Sequence, residues 1–150
     1  MVEIEKKFTV NKALWEKIKK PAPNVIKQSY ISDDKKCTVR VRIKNNKGFL
    51  TIKGETINIS RSEYEYEIPL EEAKAMMDEF SSKILFKNRY EVLIGNNLWE
   101  VDEFQGKLEG LIIAEVELKS ETEKFELPNW LDKEVSNNPR YYNSNLIKEL

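Results

Sequence analysis

The sequence predicts an α+β domain: an eight-stranded antiparallel β-barrel with a charged lumen and a few peripheral helices, one of them C-terminal. Three observations carry this. Eight segments alternate in character at period two, at roughly residues 2–9, 25–31, 37–44, 48–54, 62–68, 84–94, 97–104 and 111–119. The turn signals Asn45-Asn46-Lys47-Gly48 and Gly95-Asn96-Asn97 are short enough to join antiparallel neighbours. Every segment but the second also carries full charges on one face, sorted by sign from strand to strand.

The elements follow in chain order. The first strand places Glu3, Glu5 and Lys7 on one face, while Val2, Ile4 and Phe8 occupy most of the other, with Lys6 the one polar intrusion. Asn11 is placed to cap a helix over residues 12–20, ended by Pro21, with Leu14, Trp15 and Ile18 on a shared face. The second strand has no charged face. In the third, Arg40 and Arg42 alternate with Val39, Val41 and Ile43; in the fourth, Thr51 and Lys53 alternate with Leu50 and Ile52. The fifth carries Arg61, Glu63, Glu65 and Glu67 against Tyr64, Tyr66 and Ile68. Pro69 opens a helix to about residue 80, with Leu70, Ala73, Met76, Met77 and Phe80 spaced for one buried stripe. Lys87 and Arg89 mark the sixth strand, Glu100 and Asp102 the seventh, Glu115 and Glu117 the eighth. After Pro139 a last helix over residues 140–150 carries Tyr142, Leu146 and Ile147.

At 150 residues the chain is sized for one domain with a real core. Its 25 basic and 26 acidic side chains nearly cancel, so bulk charge predicts no general affinity for nucleic acid or membranes. Histidine is absent, which excludes imidazole base chemistry and zinc sites built from His. The single cysteine, Cys37, reads as a small buried hydrophobe. No signal-like apolar region or membrane-length run occurs, which points to a soluble, cytoplasmic setting.

Charged residues make up 34% of the chain, and their placement decides its chemistry. Merely solvated faces mix sign and include Ser, Thr, Asn and Gln. Here full charges dominate, and like charges such as Arg40 and Arg42 sit two apart, where they repel unless something bridges them. Rolling the strands into a barrel points these faces at one another. The lumen is then lined by Glu3, Glu5, Glu63, Glu65, Glu100, Asp102, Glu115 and Glu117, opposed by Lys7, Arg40, Arg42, Lys53, Arg61, Lys87 and Arg89. Removing each charge from water costs several kcal/mol, so the bore must be hydrated. Its carboxylates suit a hard cation, Mg²⁺ or Mn²⁺; its guanidinium and ammonium groups suit a polyanion. A metal-bound polyphosphate satisfies both halves.

These residues resemble the CYTH, or triphosphate tunnel metalloenzyme, superfamily. Glu3-Ile4-Glu5-Lys6-Lys7 is similar to its ExExK signature, and Gln28-Ser29-Tyr30-Ile31, Arg40-Val41-Arg42 and Thr51-Ile52-Lys53-Gly54 to its successive strands. Arg61-Ser62-Glu63-Tyr64-Glu65, Lys87-Asn88-Arg89-Tyr90, Asp102-Glu103-Phe104 and Glu115-Val116-Glu117 continue the series in order. The resemblance implies a divalent metal held by Glu3, Glu5, Glu115 and Glu117, joined by Asp102 and by Glu63 or Glu65. It implies phosphates cradled by Lys7, Arg40, Arg42, Lys53, Arg61, Lys87 and Arg89, with Tyr30 either touching substrate or packing. Lys53 and Lys87 become candidates for stabilising the leaving group or orienting water, and a glutamate such as Glu5 for activating it. Pro139 to Asn145 resembles a terminal helix that plugs the tunnel, with Tyr142 where some relatives carry a basic residue.

The compact size and short N-terminal lead look most like bacterial members that hydrolyse inorganic tripolyphosphate to pyrophosphate and phosphate. Within the same fold the alternatives are a thiamine-triphosphatase, a nucleoside triphosphatase and a class IV adenylyl cyclase. Outside it stand a non-catalytic polyphosphate- or nucleotide-binding module and a purely structural β-domain. The apolar outer faces of the strands suit a homodimer.

Overall fold

A computed structural model describes residues 1–150. Eight strands form the expected ring: β1 (Val2–Val10), β2 (Asn24–Asp34), β3 (Cys37–Lys44), β4 (Lys47–Gly54), β5 (Ser60–Ile68), β6 (Leu85–Ile94), β7 (Asn97–Phe104) and β8 (Ile112–Glu117). They pair antiparallel in the order β5-β4-β3-β2-β6-β7-β8-β1, and β1 pairs back onto β5 to close the barrel. Both short turns hold two residues, with Asn45 (φ 55°) and Gly95 (φ 60°) in the left-handed region that lets each hairpin turn tightly.

A ninth strand, β9 (Leu131–Glu134), lies outside the eight predicted from the sequence. Its four residues are too few to show alternation. It shares one edge of β1 with β5: β5 pairs with Val2 to Ile4, β9 with Phe8 and Val10. Between them the Lys7 backbone is satisfied by Ser136 Oγ, which accepts from Lys7 N at 3.0 Å, and by Val135 N, which donates to Lys7 O.

The helices depart from expectation in length. Helix α1 (Lys12–Glu16) is capped by Asn11 as expected but stops four residues early. Lys20 Nζ donates to the carbonyls of Trp15 and Ile18, doing for the last turn what further backbone bonds would have done. Helix α2 (Leu70–Phe80) starts after Pro69 as expected and buries Ala73 and Met77. Phe80, however, is exposed, because the helix ends there beyond the sheet it covers. A side chain at Gly48 would meet Ala73 Cβ at 2.7 Å, so only glycine lets α2 seat this closely on β4. The expected helix over residues 140–150 is broken into α3 (Asn143–Leu146) between two 3₁₀ turns, Pro139–Tyr141 and Ile147–Glu149. Its Asn-Ser-Asn run competes for backbone hydrogen bonds; Asn145 Nδ2 donates to Pro139 O.

Three apolar clusters support the barrel. The largest lies outside β7, β8 and β1, where Phe8, Trp99, Val101 and Val116 pack against Trp15 and Trp130. Trp130 meets Trp15 and Trp99 edge-on at 5.0 and 5.8 Å. A second holds α2 against Val41. The third is inside: Leu85, Phe104 and Ile113 share the inward parity of Lys87, Asp102 and Glu115, and they cluster with Leu146 and Ile147 of the tail. The charged bore is therefore closed at one end by an apolar floor.

Cys37 is exposed, contrary to the buried reading. It starts β3 directly after the Lys35-Lys36 turn, where nothing covers it. No helix is long and apolar enough to cross a membrane.

Candidate active site

Above the floor lies a cavity of about 380 Å³. It is lined by Glu3, Glu5, Lys7, Tyr30, Arg40, Arg42, Lys53, Arg61, Glu63, Glu65, Lys87, Arg89, Glu100, Glu115 and Glu117, which brings the sequence-derived candidates into one space. Asp102 is the exception; it sits behind the lining, fully buried. Thr38 and Lys44 also line the cavity and share the parity of Arg40 and Arg42, so the alternation would have found them. Phe49 likewise shares the parity of Thr51 and Lys53, and Tyr142, Asn143 and Ser144 line the cavity from the tail, the segment that resembles a tunnel plug.

The cations differ sharply in how they are partnered. Arg89 is clamped on Asp102, its Nε and Nη2 donating to the two carboxylate oxygens at 2.7 and 2.9 Å, and it also meets Glu100 at 3.1 Å. Lys87 Nζ lies 2.8 Å from Asp102 Oδ2 and donates to Asn143 Oδ1 at 2.9 Å. Complete burial pushes the Lys87 ammonium down to about 7; Asp102 opposes the drop, and Arg89 and Arg42 add to it. Lys53 sits between Glu3 and Glu63, 3.1 Å from each.

Arg42 has no carboxylate partner. Its Nε and Nη2 donate to Gln28 Oε1 at 3.0 and 2.8 Å, and Gln28 in turn donates to Tyr30 Oη. Burial, together with Arg40 and Arg89, pushes its guanidinium down to about 9. Arg40 meets Thr51 and Glu65 through Nη2 but leaves its buried Nε without any acceptor. A buried cation without a counter-ion is expensive, so this wall is arranged for a ligand that brings negative charge.

The carboxylates show the complementary crowding. Burial, then repulsion from Glu115 and Glu3, drives the Glu5 carboxyl well above its ordinary range. Glu115 is pushed up by burial, but Lys7, a hydrogen bond with Glu5 and Arg89 overcome that and hold it well below. Glu3 is likewise held low against burial by Lys53, Glu63 and Arg61. Glu117, at the mouth, is raised by burial and by Glu3 and Glu100. A divalent cation would relieve this repulsion, and the donor set, all carboxylate oxygen, fits Mg²⁺ or Mn²⁺. No group of three carboxylates converges tightly enough to cage an ion alone. That too suits a small hard cation, which takes one or two carboxylates and completes its shell with water and phosphate oxygens.

A closed antiparallel barrel whose acidic wall faces a basic one defines a polar-tunnel protein, distinct from small barrels filled with apolar side chains. The CYTH domain matches residues 1–148, and the chain belongs to that family. It is 47% identical over 147 residues to an inorganic triphosphatase of Acetivibrio thermocellus, covering 97% of this chain and 93% of that one. It is 33% identical over 111 residues to an inorganic triphosphatase of Nitrosomonas europaea, covering 72% and 73% respectively. Among solved structures, the inorganic triphosphatase NE1496 superposes with a TM-score of 0.67 at 29% identity, covering 97% of both chains. A putative adenylate cyclase from Bacillus halodurans, 18% identical with a TM-score of 0.65, shares the fold.

Proposed function

We propose that this chain is a divalent-metal-dependent triphosphatase that hydrolyses inorganic tripolyphosphate to pyrophosphate and phosphate inside the barrel. The observation that carries the reading is Arg42 with no carboxylate partner beside Arg40 with an orphaned Nε, both facing crowded carboxylates across one cavity. Relatives 47% and 33% identical, both named inorganic triphosphatases, support it.

Phosphoanhydride hydrolysis asks mainly for positioning and neutralisation of charge. Arg40, Arg42, Arg61 and Lys7 would hold the phosphate chain, with Tyr30, linked to Arg42 through Gln28, contacting it from the same wall. One or two of Glu3, Glu5, Glu115 and Glu117 would hold Mg²⁺ or Mn²⁺, with Glu63 beside them. The metal, when bound, would polarise a phosphoryl oxygen and acidify water. Glu5, where it is ionised and not on the metal, would take a proton from the attacking water. As that oxygen adds to the terminal phosphorus and the P–O bond to pyrophosphate breaks, Lys87, poised near neutrality, is suited to give the leaving oxygen a proton. Lys53, paired with Glu3 and Glu63, orients the acidic side. Both oxygens of Asp102 are committed to Arg89 and Lys87, so its role here is counter-ion of the basic wall.

An inorganic substrate is favoured over an organic triphosphate because all three indoles, Trp15, Trp99 and Trp130, are buried in the outer core. None remains to stack on an organic group. The test is phosphate release from tripolyphosphate, pyrophosphate, ATP and thiamine triphosphate, each with Mg²⁺, Mn²⁺ or EDTA. Tripolyphosphate with metal should be fastest and EDTA should abolish release. Inertness toward all four would overturn the reading.

A further inference from the structure

The two lysines nearest the closed end of the bore are held by three consecutive residues of the C-terminal segment. Asn143 Oδ1 accepts from Lys87 Nζ at 2.9 Å, the Tyr141 carbonyl accepts from Lys7 Nζ at 3.2 Å, and the Tyr142 ring lies 5.4 Å from the same ammonium. Both lysines are buried. Each also meets one carboxylate on the barrel wall, Asp102 for Lys87 at 2.8 Å and Glu115 for Lys7 at 3.9 Å. The barrel therefore fixes each ammonium from one side and the tail from the other. The tail is itself anchored, since Leu146 and Ile147 sit in the apolar floor with Leu85, Phe104 and Ile113.

We propose that residues 141–143 form a positioning element of the active site, with Asn143 the residue that aims Lys87 at the bound phosphate chain. This rests on the triphosphate reading above but not on turnover. A flexible four-carbon side chain is directed only by its acceptors, and with Asp102 alone Lys87 would swing toward the wall. Asn143 supplies the second acceptor without adding negative charge where phosphate must sit.

Tripolyphosphate binding is measured by calorimetry in EDTA, where no hydrolysis confuses the signal, on the wild type, Asn143→Leu, Lys87→Met and the double variant. Asn143→Ala repeats the comparison should leucine disturb folding, which thermal melting reports. Asn143→Leu should weaken binding about tenfold, the weight of one hydrogen bond to a charged group. In the Lys87→Met background it should weaken it no further, because the group it positions is gone. Equal losses in both backgrounds would mean that Asn143 only packs the tail, and no loss in either would mean that it does nothing; both overturn the proposal. Wild-type binding with this coupling but no turnover would overturn the triphosphatase reading and leave the positioning role standing. Absence of wild-type binding would sink both.

Discussion

Glu5 and Glu115 crowd each other inside the barrel: burial and repulsion from Glu115 and Glu3 drive the Glu5 carboxyl well above its ordinary range, while Lys7, Glu5 and Arg89 hold Glu115 below against burial. They come from adjacent strands, Glu5 opposite Glu117 and Glu115 opposite Lys7. A metal ion taken up by this pair needs Glu5 ionised, so it competes with the proton that the raised Glu5 carboxyl favours. Its apparent affinity should therefore keep rising with pH above the ordinary carboxylate range, with up to about one proton released per ion. Calorimetry in buffers of different ionisation enthalpy measures that release directly. Glu5→Gln should abolish turnover and remove the pH dependence of metal affinity; wild-type rates at saturating metal would take Glu5 out of the site.

Asp102 is where stability and site geometry meet. Burial pushes its carboxyl up, but Arg89 and Lys87 overcome this and hold it at about 2, against an ordinary 3.8. Because the folded-state value is depressed, the stabilisation is complete above about pH 4 and disappears as pH falls toward 2. Asp102→Asn strands two buried cations and should cost about 3 kcal/mol at pH 7. The difference from wild type should narrow between pH 4 and pH 2, as wild-type Asp102 itself protonates. Urea titrations at several pH values test the sign: a gap that widens on acidification would contradict the ion-pair account.

How much of this was legible in the residues follows from what periodicity encodes. Charge at every second position gave the inward faces of β1, β3 and β5 to β8 and hence nearly every lining residue. Parity alone turned Lys6 outward, and it meets Glu134 outside the bore. The apolar floor was harder to see. Leu85, Phe104 and Ile113 continue the inward parity beyond the last charge, but nothing in that parity says that the bore turns apolar and closes there. The family resemblance brought the tail to the bore, but its individual contacts were invisible for another reason. Asn143 reaches Lys87 across 56 positions, a pairing that only the closed barrel and its floor create.

Trp130 offers a control that separates scaffold from site. It is 2% exposed, packs on Trp15 and Trp99 in the outer core, and is not among the residues lining the cavity. Trp130→Ala should cost about 3–5 kcal/mol of stability through the cavity it leaves. Below its lowered melting temperature the variant should keep the wild-type KM for tripolyphosphate. A large rise in KM would show that the outer core sets the shape of the tunnel.

Arg42 should behave in the opposite way, losing binding while gaining stability. Its guanidinium is buried, its only acceptor is neutral Gln28, and Arg40 and Arg89 repel it. Holding that charge in the fold is costly, and Arg42→Met removes the cost while keeping most of the volume. The lost bonds to Gln28 offset part of the gain, so the net stabilisation without ligand should be roughly 1 kcal/mol. Tripolyphosphate should raise the melting temperature of wild type by linkage and that of the variant much less. The KM should rise on the order of tenfold to a hundredfold, as expected when a charge-assisted contact to phosphate is removed. A variant that is destabilised without ligand yet binds tripolyphosphate normally would mean that Arg42 serves the barrel rather than its cargo.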